Sequence, residues 1–377
     1  MSDKITILIG GDLAPVRRYE EKFSNEDFRF IDAQILKEFE DSNFSVVNLE
    51  APLSENKSAK RTALPNLVAI PNVVNGIKSL KIDACTLANN HILDADEDGL
   101  QSTISTLKDN KIDFFGAGLN SKESNELFIK EIKNKKIGFY AISNNEFSIA
   151  TENEAGANPE DIINWFYVIK KFKQQVDFLI ILYHTGIDGS IYPSPNLQKK
   201  CKLLIDLGAD LISCQHSHVV GTFEKYKNKD IFYGQGDFIF DYGIDVKDYR
   251  KFGSLLKLEI INNSIEVEII YFKRNGITID VLSGKEKIEF VAKKLNESQK
   301  LLDVTFLNKF YDDLVSKKES HYFNIFFSFG NLLVLRILNK FNIIKIFYNK
   351  SFSKILLNII QNDIHRNMLV KILKRRI

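Results

Sequence analysis

Short apolar runs that end in polar residues recur along the first 272 positions. Residues 5–10 (ITILIG) run into Gly-Gly-Asp, and 44–50 (FSVVNLE) close on a carboxylate. Residues 84–91 (ACTLANNH), 178–184 (FLIILYH) and 210–218 (DLISCQHSH) close on amides and histidines. Each run is short and rich in β-formers, the pattern of strands covered on both faces. Between them, 98–110 places Leu100, Ile104 and Leu107 at helical spacing, and 196–207 also reads as a helix. Strands alternating with helices predict an α/β domain. Open α/β sheets bind ligands at the carboxyl ends of their strands, so these polar endings are expected to converge on one edge.

The pattern changes after residue 252. Residues 253–261 and 264–272 alternate and are joined by Asn262-Asn263, which predicts a hairpin. Ser283 and Glu286 form an S-x-x-E helix start ahead of an amphipathic stretch to about residue 302. The division expected is a domain over 1–272 and a basic, mostly helical region over 273–377.

Charge sharpens this division. From Tyr322 onward there are ten Lys or Arg against Asp363 alone, a local net charge of +9 in a chain whose total is +2. Two readings fit the tail: a helical subdomain with solvated lysines, or an interfacial segment that meets anionic lipid. The near-neutral total gives no case for nucleic acid. Hydrophobic residues at 44% and charged residues at 27% are ordinary for a globular protein with a core. Cys85, Cys201 and Cys214 fit neither a disulfide framework nor a zinc motif, and read as small core residues. No secretion signal or membrane-length apolar run is read, so the expected location is cytoplasmic, with the inner membrane face as a peripheral site.

Four of the six histidines, His91, His184, His216 and His218, lie in the strand-end runs. Mixed carboxylate, amide and imidazole donors suit a divalent centre, and Asp12, Glu50, Asn90, His184, His216 and His218 supply them. Two ions about 3.5–4 Å apart can clamp an attacking hydroxide and the substrate oxygens. Each residue also has a plain alternative. Asp12 could serve a turn, Asn89-Asn90 could tolerate a left-handed bend, and His91 and Asp94 could be a local surface pair. Gly116-x-Gly118 lacks the rest of a dinucleotide fingerprint and reads as a turn. Lys60 and Arg61, in the loop after NLE, are candidates for an anionic substrate.

The motifs GGD (10–12), NLE (48–50), ANNHILD (88–94), YHTGID (183–188) and QHSH (215–218), in this order, resemble the CapA family of capsule-biosynthesis proteins. That family is a branch of the calcineurin-like metallophosphoesterases, and the resemblance covers roughly residues 5–241. It implies a four-layer α/β/β/α sandwich with a helical C-terminal appendage. It assigns Asp12 and His218 to one metal, Asn90, His184 and His216 to the other, and Glu50 to both. His91 would serve as general acid and Asp94 would orient it; Asn89, Arg61 and Asp188 are the candidates for substrate contact. Ala14 stands where typical metallophosphoesterases carry a histidine, which implies one tight and one labile ion, with Mn, Fe or Zn all suited. Asp188 and Asp237 also depart from the family pattern, replacing Glu and Asn. The implied function is a phosphoesterase-type hydrolase acting on a phosphorylated sugar, a lipid-linked intermediate or a capsular polymer. The alternatives are an accessory or scaffold for a poly-γ-glutamate-like polymer and, third, γ-glutamyl amide chemistry. No Gly-Lys-Ser/Thr phosphate loop is present for an ATP-driven ligase.

Overall fold

The first apolar run is longer than its sequence pattern suggests: Ile5–Leu13 is one strand that carries Asp12 near its carboxyl end. The computed structural model describes residues 4–57, 66–243, 247–327 and 350–374. The other four runs also form strands, at Phe44–Leu49, Ala84–Thr86, Phe178–Thr185 and Leu211–His216. Ala84–Thr86 stops early, so Asn89, Asn90 and His91 stand in the turn beyond it.

Two sheets result. In the first, Ile5–Leu13, Phe44–Leu49, Ala84–Thr86 and Asp113–Phe115 run parallel in that order. The hairpin Phe252–Ile261 and Ser264–Asn275 then extends the other edge antiparallel. Asn262 and Asn263 hold φ of +47° and +65°, the double left-handed geometry of a tight hairpin turn. The sheet continues past residue 272, because Thr278–Val281 pairs with Ser264–Asn275. The second sheet has Lys135–Ser143, Phe178–Thr185, Leu211–His216 and Lys229–Phe232 parallel at its centre. Phe128–Ile132 and Phe223–Tyr226 form its antiparallel edges.

Residue alternation sorts the core into layers. Ile7, Ile9, Phe44 and Val46 of the first sheet meet Phe139, Ile180 and Leu182 of the second in one apolar layer. The neighbours Leu8, Val47 and Cys85 face outward onto Phe23, Ile35, Phe39 and Leu100. Tyr140, Ile181 and Cys214 face outward from the second sheet onto Trp165, Cys201 and Leu204. The outcome is the four-layer α/β/β/α sandwich. The cysteines are the buried core residues expected.

The predicted helices appear as Asp96–Asp109 and Pro195–Leu207. The second has Pro195 in its first turn, Ser194 accepting from the Leu197 N–H at 3.1 Å, and Gly208 at φ +127° beyond its end. The helix Gly284–Gln299 does start at Ser283, but the capping box is not made. Ser283 makes no side-chain cap, and Glu286 pairs with Lys273 at 2.7 Å across the adjoining strand. An ion partner has displaced the expected local bond.

Farther on, Val304–Phe327 packs Leu307 onto the second outer layer, while Lys350–Gln361 and Asp363–Lys374 form a helical pair against it. Ile359, Met368 and Ile372 share an apolar cluster with Tyr311, Val315 and Ile187.

One close approach decides where the chemistry sits. The short strand Asp237–Ile239 lies parallel to the first strand, with Asp12 beside both Asn48 and Asp237. A Cβ on Gly11 would stand 2.1 Å from the Gly236 carbonyl oxygen, so only glycine allows this contact.

Candidate metal centre

The two sheets meet at their carboxyl ends. Gln215 Nε2 donates to the Gly10 carbonyl at 3.0 Å, and Gln235 Nε2 to that of Ile9 at 3.1 Å. The strand-end side chains are thereby brought face to face. His216 and His218 hold φ of +87° and +58°, unusual for residues with a Cβ. These conformations turn both imidazoles back into the junction, at a cost of order 1–3 kcal/mol each.

Two groups of donor atoms form, and they share Glu50. In one, Glu50, His184 and His216 converge. His184 Nε2 lies 3.4 Å from Glu50 Oε1, 3.0 Å from Asn90 Oδ1 and 3.1 Å from His216 Nδ1. In the other, Asp12, Glu50, His218 and Asp237 converge, with donor atoms within 4.8 Å of one another. All six metal candidates from the sequence are in or beside these two groups. The expected weakness at Ala14 is offset in number by Asp237, which the sequence presents only as a departure from the family pattern. Its signal is an acid after Gly-Gln-Gly, but the strand beside it lies at the far end of the domain, around Asp12.

Asn48 is a second residue at the centre that the sequence does not single out. It lies two positions before Glu50, on the same face of the strand by alternation. Its Nδ2 donates to Asp12 Oδ1 at 2.7 Å and stands 3.1 Å from His184 Nδ1. It thus links the two groups. The Asp12 carboxylate also accepts the His216 backbone N–H at 3.1 Å.

The electrostatics show why a cation fits. Glu50 is fully buried, and among the described residues neither of its oxygens has a hydrogen-bond partner. Burial, reinforced by the Asp12 charge, pushes its pKa well above the ordinary 4.5. Burial likewise lifts Asp12 to about 6, with Asp237 adding to the rise and His218 opposing it. On the imidazole side, burial and the neighbouring rings push His184 well down, and burial also lowers His216. Burial opposes the charged form of His218 too, but Asp237 at 2.7 Å and Asp12 carry its pKa upward. Asp237 is itself held down, against burial, by His218, Arg274 and Tyr242. Three buried acids, one buried imidazole and two partly buried ones, with the Glu50 oxygens lacking hydrogen bonds among the described residues, are a donor set that suits a divalent metal.

His91 is 6% exposed, which rules out a surface pair with Asp94. Its Nδ1 meets Asp94 Oδ2 at 2.6 Å, and that oxygen also accepts the Leu67 N–H at 2.9 Å. Asn89, a candidate for substrate contact, has its side-chain amide bonded to protein instead. It is fully buried; its Nδ2 donates to Asn48 Oδ1 and the Leu49 carbonyl, and its Oδ1 accepts the His91 N–H. Both polar atoms of its side chain are spent on protein. Asp188 stands at the mouth of the centre, half exposed and paired with Arg250. Lys60 and Arg61 lie outside the described residues.

The four-layer sandwich thus gathers acids, amides and imidazoles at the carboxyl ends of its strands. The model of the bacterial capsule synthesis protein PGA_cap family matches residues 6–242, and the chain belongs to that family. It is 28% identical over 251 residues to the capsule biosynthesis protein CapA of Bacillus anthracis, covering 64% of this chain and 61% of that one. It is 27% identical over 201 residues to a probable polyglutamine synthesis accessory protein of Mycobacterium tuberculosis, covering 50% of this chain and 53% of that one. The match thus spans less than two thirds of either relative. Among solved structures, a 5'-nucleotidase precursor from Thermus thermophilus aligns with a TM-score of 0.42 and 10% identity, covering 80% of this chain and 60% of that one.

Because folding raises the Glu50 pKa, its carboxyl favours the fold when protonated. Metal-free protein loses that contribution as pH rises above 4.5 toward the folded value. Glu50→Gln removes the titration. Without metal, the thermal midpoint of the variant should therefore gain on that of the wild type as pH rises from 5 to 8. With Mn²⁺ the order should reverse. A midpoint difference independent of both pH and metal would contradict this role for Glu50.

Proposed function

We propose that the chain is a metal-dependent phosphoesterase-type hydrolase of capsule or surface-polymer synthesis. Its substrate would be a phosphorylated saccharide, a lipid-linked intermediate or the capsular polymer itself. The observation that carries this reading is the buried Glu50 carboxylate, without a hydrogen bond among the described residues and shared by two donor groups. Asn90, His184, His216 and Glu50 would hold one divalent cation; Asp12, His218, Asp237 and Glu50 would hold a second. Cations at these positions would polarise a phosphoryl oxygen and make water nucleophilic at neutral pH.

The protein's own groups do the rest. With Nδ1 bonded to Asp94, the His91 ring is fixed in orientation, and its Nε2 is the nitrogen left to pass a proton to the leaving oxygen. The Leu67 N–H keeps Asp94 in place, and Asn89 keeps the His91 backbone in place. Asn48 holds Asp12 against His184. Burial excludes bulk water, which strengthens each of these polar contacts.

A second reading has a specific observation behind it: one relative is named an accessory protein of polyglutamine synthesis. In that reading the centre is structural and the protein binds polymer or partner enzymes. A further partner under either reading is an anionic membrane surface. The last two helices expose Leu357, Ile360 and Lys374, with Lys354 half-buried beside them. Among the described residues no helix is long and apolar enough to cross a bilayer.

Protein loaded with Mn²⁺, Zn²⁺ or Fe²⁺ should cleave members of a phosphomonoester and phosphodiester panel. His91→Ala should lower kcat by about 10²–10⁴-fold with metal content unchanged. Full metal loading without turnover on any ester would reject the hydrolase and favour the accessory reading. For the membrane partner, the full chain should sediment with phosphatidylserine vesicles and lose that binding when residues 322–377 are removed. Binding that survives the truncation would reject the tail as the contact.

A further inference from the structure

The centre has an outer wall built by residues far from all of its motifs. Asn362, between the helices Lys350–Gln361 and Asp363–Lys374, is 1% exposed. Its Nδ2 donates to Glu146 Oε1 at 2.8 Å, and that oxygen lies 3.6 Å from His216 Nε2. Its Oδ1 accepts the Ile364 N–H at 2.8 Å, so one amide both starts the last helix and ties it to the centre. Next to it, Asp363 pairs with Lys200 Nζ at 2.6 Å and accepts from Asn196 Nδ2 at 3.0 Å. Lys200 is itself buried and also pairs with Glu160. Met368 and Ile372 complete the attachment through their apolar cluster with Tyr311 and Val315. These last helices are thus docked by a buried amide, a part-buried ion pair and an apolar contact.

Docking leaves a cavity of about 70 Å³ between the two parts. His216, Glu146 and Asp188 line it from the strand ends, and Lys318 and His365 line it from the C-terminal helices. It has room for a few waters or one compact oxyanion. Both acids already have partners. Glu146 accepts from Asn144 at 3.2 Å and from Asn362, and Asp188 pairs with Arg250. The Lys318 ammonium, with the His365 ring on the same lining, is then the group suited to a ligand's negative charge.

We propose that Lys318 and His365 form the substrate-binding wall of the site and hold a phosphoryl oxyanion presented to His216. This rests on the hydrolase reading and deepens it. The C-terminal helices, which belong to none of the metal-binding motifs, set which anionic groups enter.

Calorimetric titration of the Mn²⁺-loaded full chain with inorganic phosphate tests the proposal. Lys318→Ala and His365→Gln should each weaken phosphate binding several-fold, and the double variant by about 10-fold or more. Metal content should stay at the wild-type value, and Lys318→Arg should retain most of the affinity. Unchanged phosphate affinity in the double variant, or no phosphate binding by metal-loaded wild type, would overturn this wall while leaving the metal centre standing. Failure of the wild type to take up metal would overturn the hydrolase reading and this inference together.

Discussion

A fully buried carboxylate with no hydrogen bond among the described residues is the constraint around which this protein is arranged. Placing Glu50 at the junction of two sheets costs several kcal/mol unless its charge is met there or suppressed. Asp12 and Asp237 beside it make ionisation harder, and the three clustered imidazoles make protonation of His184 harder. Like charges in each set oppose one another in the absence of a cation. A divalent ion between them favours the ionised acids and the neutral imidazoles together. The centre is therefore a place where the fold holds unfavourable electrostatics in readiness for a ligand.

The backbone supports that arrangement at several removes. Gly11 lets the Asp237 strand approach the first strand, and so puts two acids side by side. Left-handed turns at His216 and His218 direct two imidazoles into one space. Arg274, buried and bonded to the Asp237 backbone carbonyl, secures the far side. His91 and Asp94 sit on the turn after a three-residue strand, where the chain leaves the sheet and can reach over the centre.

Much of this is legible in the sequence because it is local. Apolar runs with polar endings reveal strands, and strands in α/β sheets bring their endings together, so Asp12, Glu50, Asn90, His184, His216 and His218 can be grouped without coordinates. What escapes depends on pairings between distant segments. Asp237 becomes a candidate ligand only when its strand lies beside the first one. Asn89 reads as a turn residue or a substrate contact until Asn48 and the His91 backbone are seen to use its side-chain polar atoms. Asn362 gives no signal at all, because its reach to Glu146 depends on how the last helices dock. At Ser283 a local rule fails, since Glu286 has a better partner in Lys273.

If Glu50 joins two donor groups into one two-ion site, the stoichiometry of metal uptake must show it. The decisive experiment is metal analysis after equilibration with excess Mn²⁺ and buffer exchange, on wild type, Asp237→Ala and His184→Ala. Two ions are expected per wild-type chain, and one in each variant. A wild-type chain that takes up no ion, or two ions that neither substitution removes, would contradict a shared Glu50.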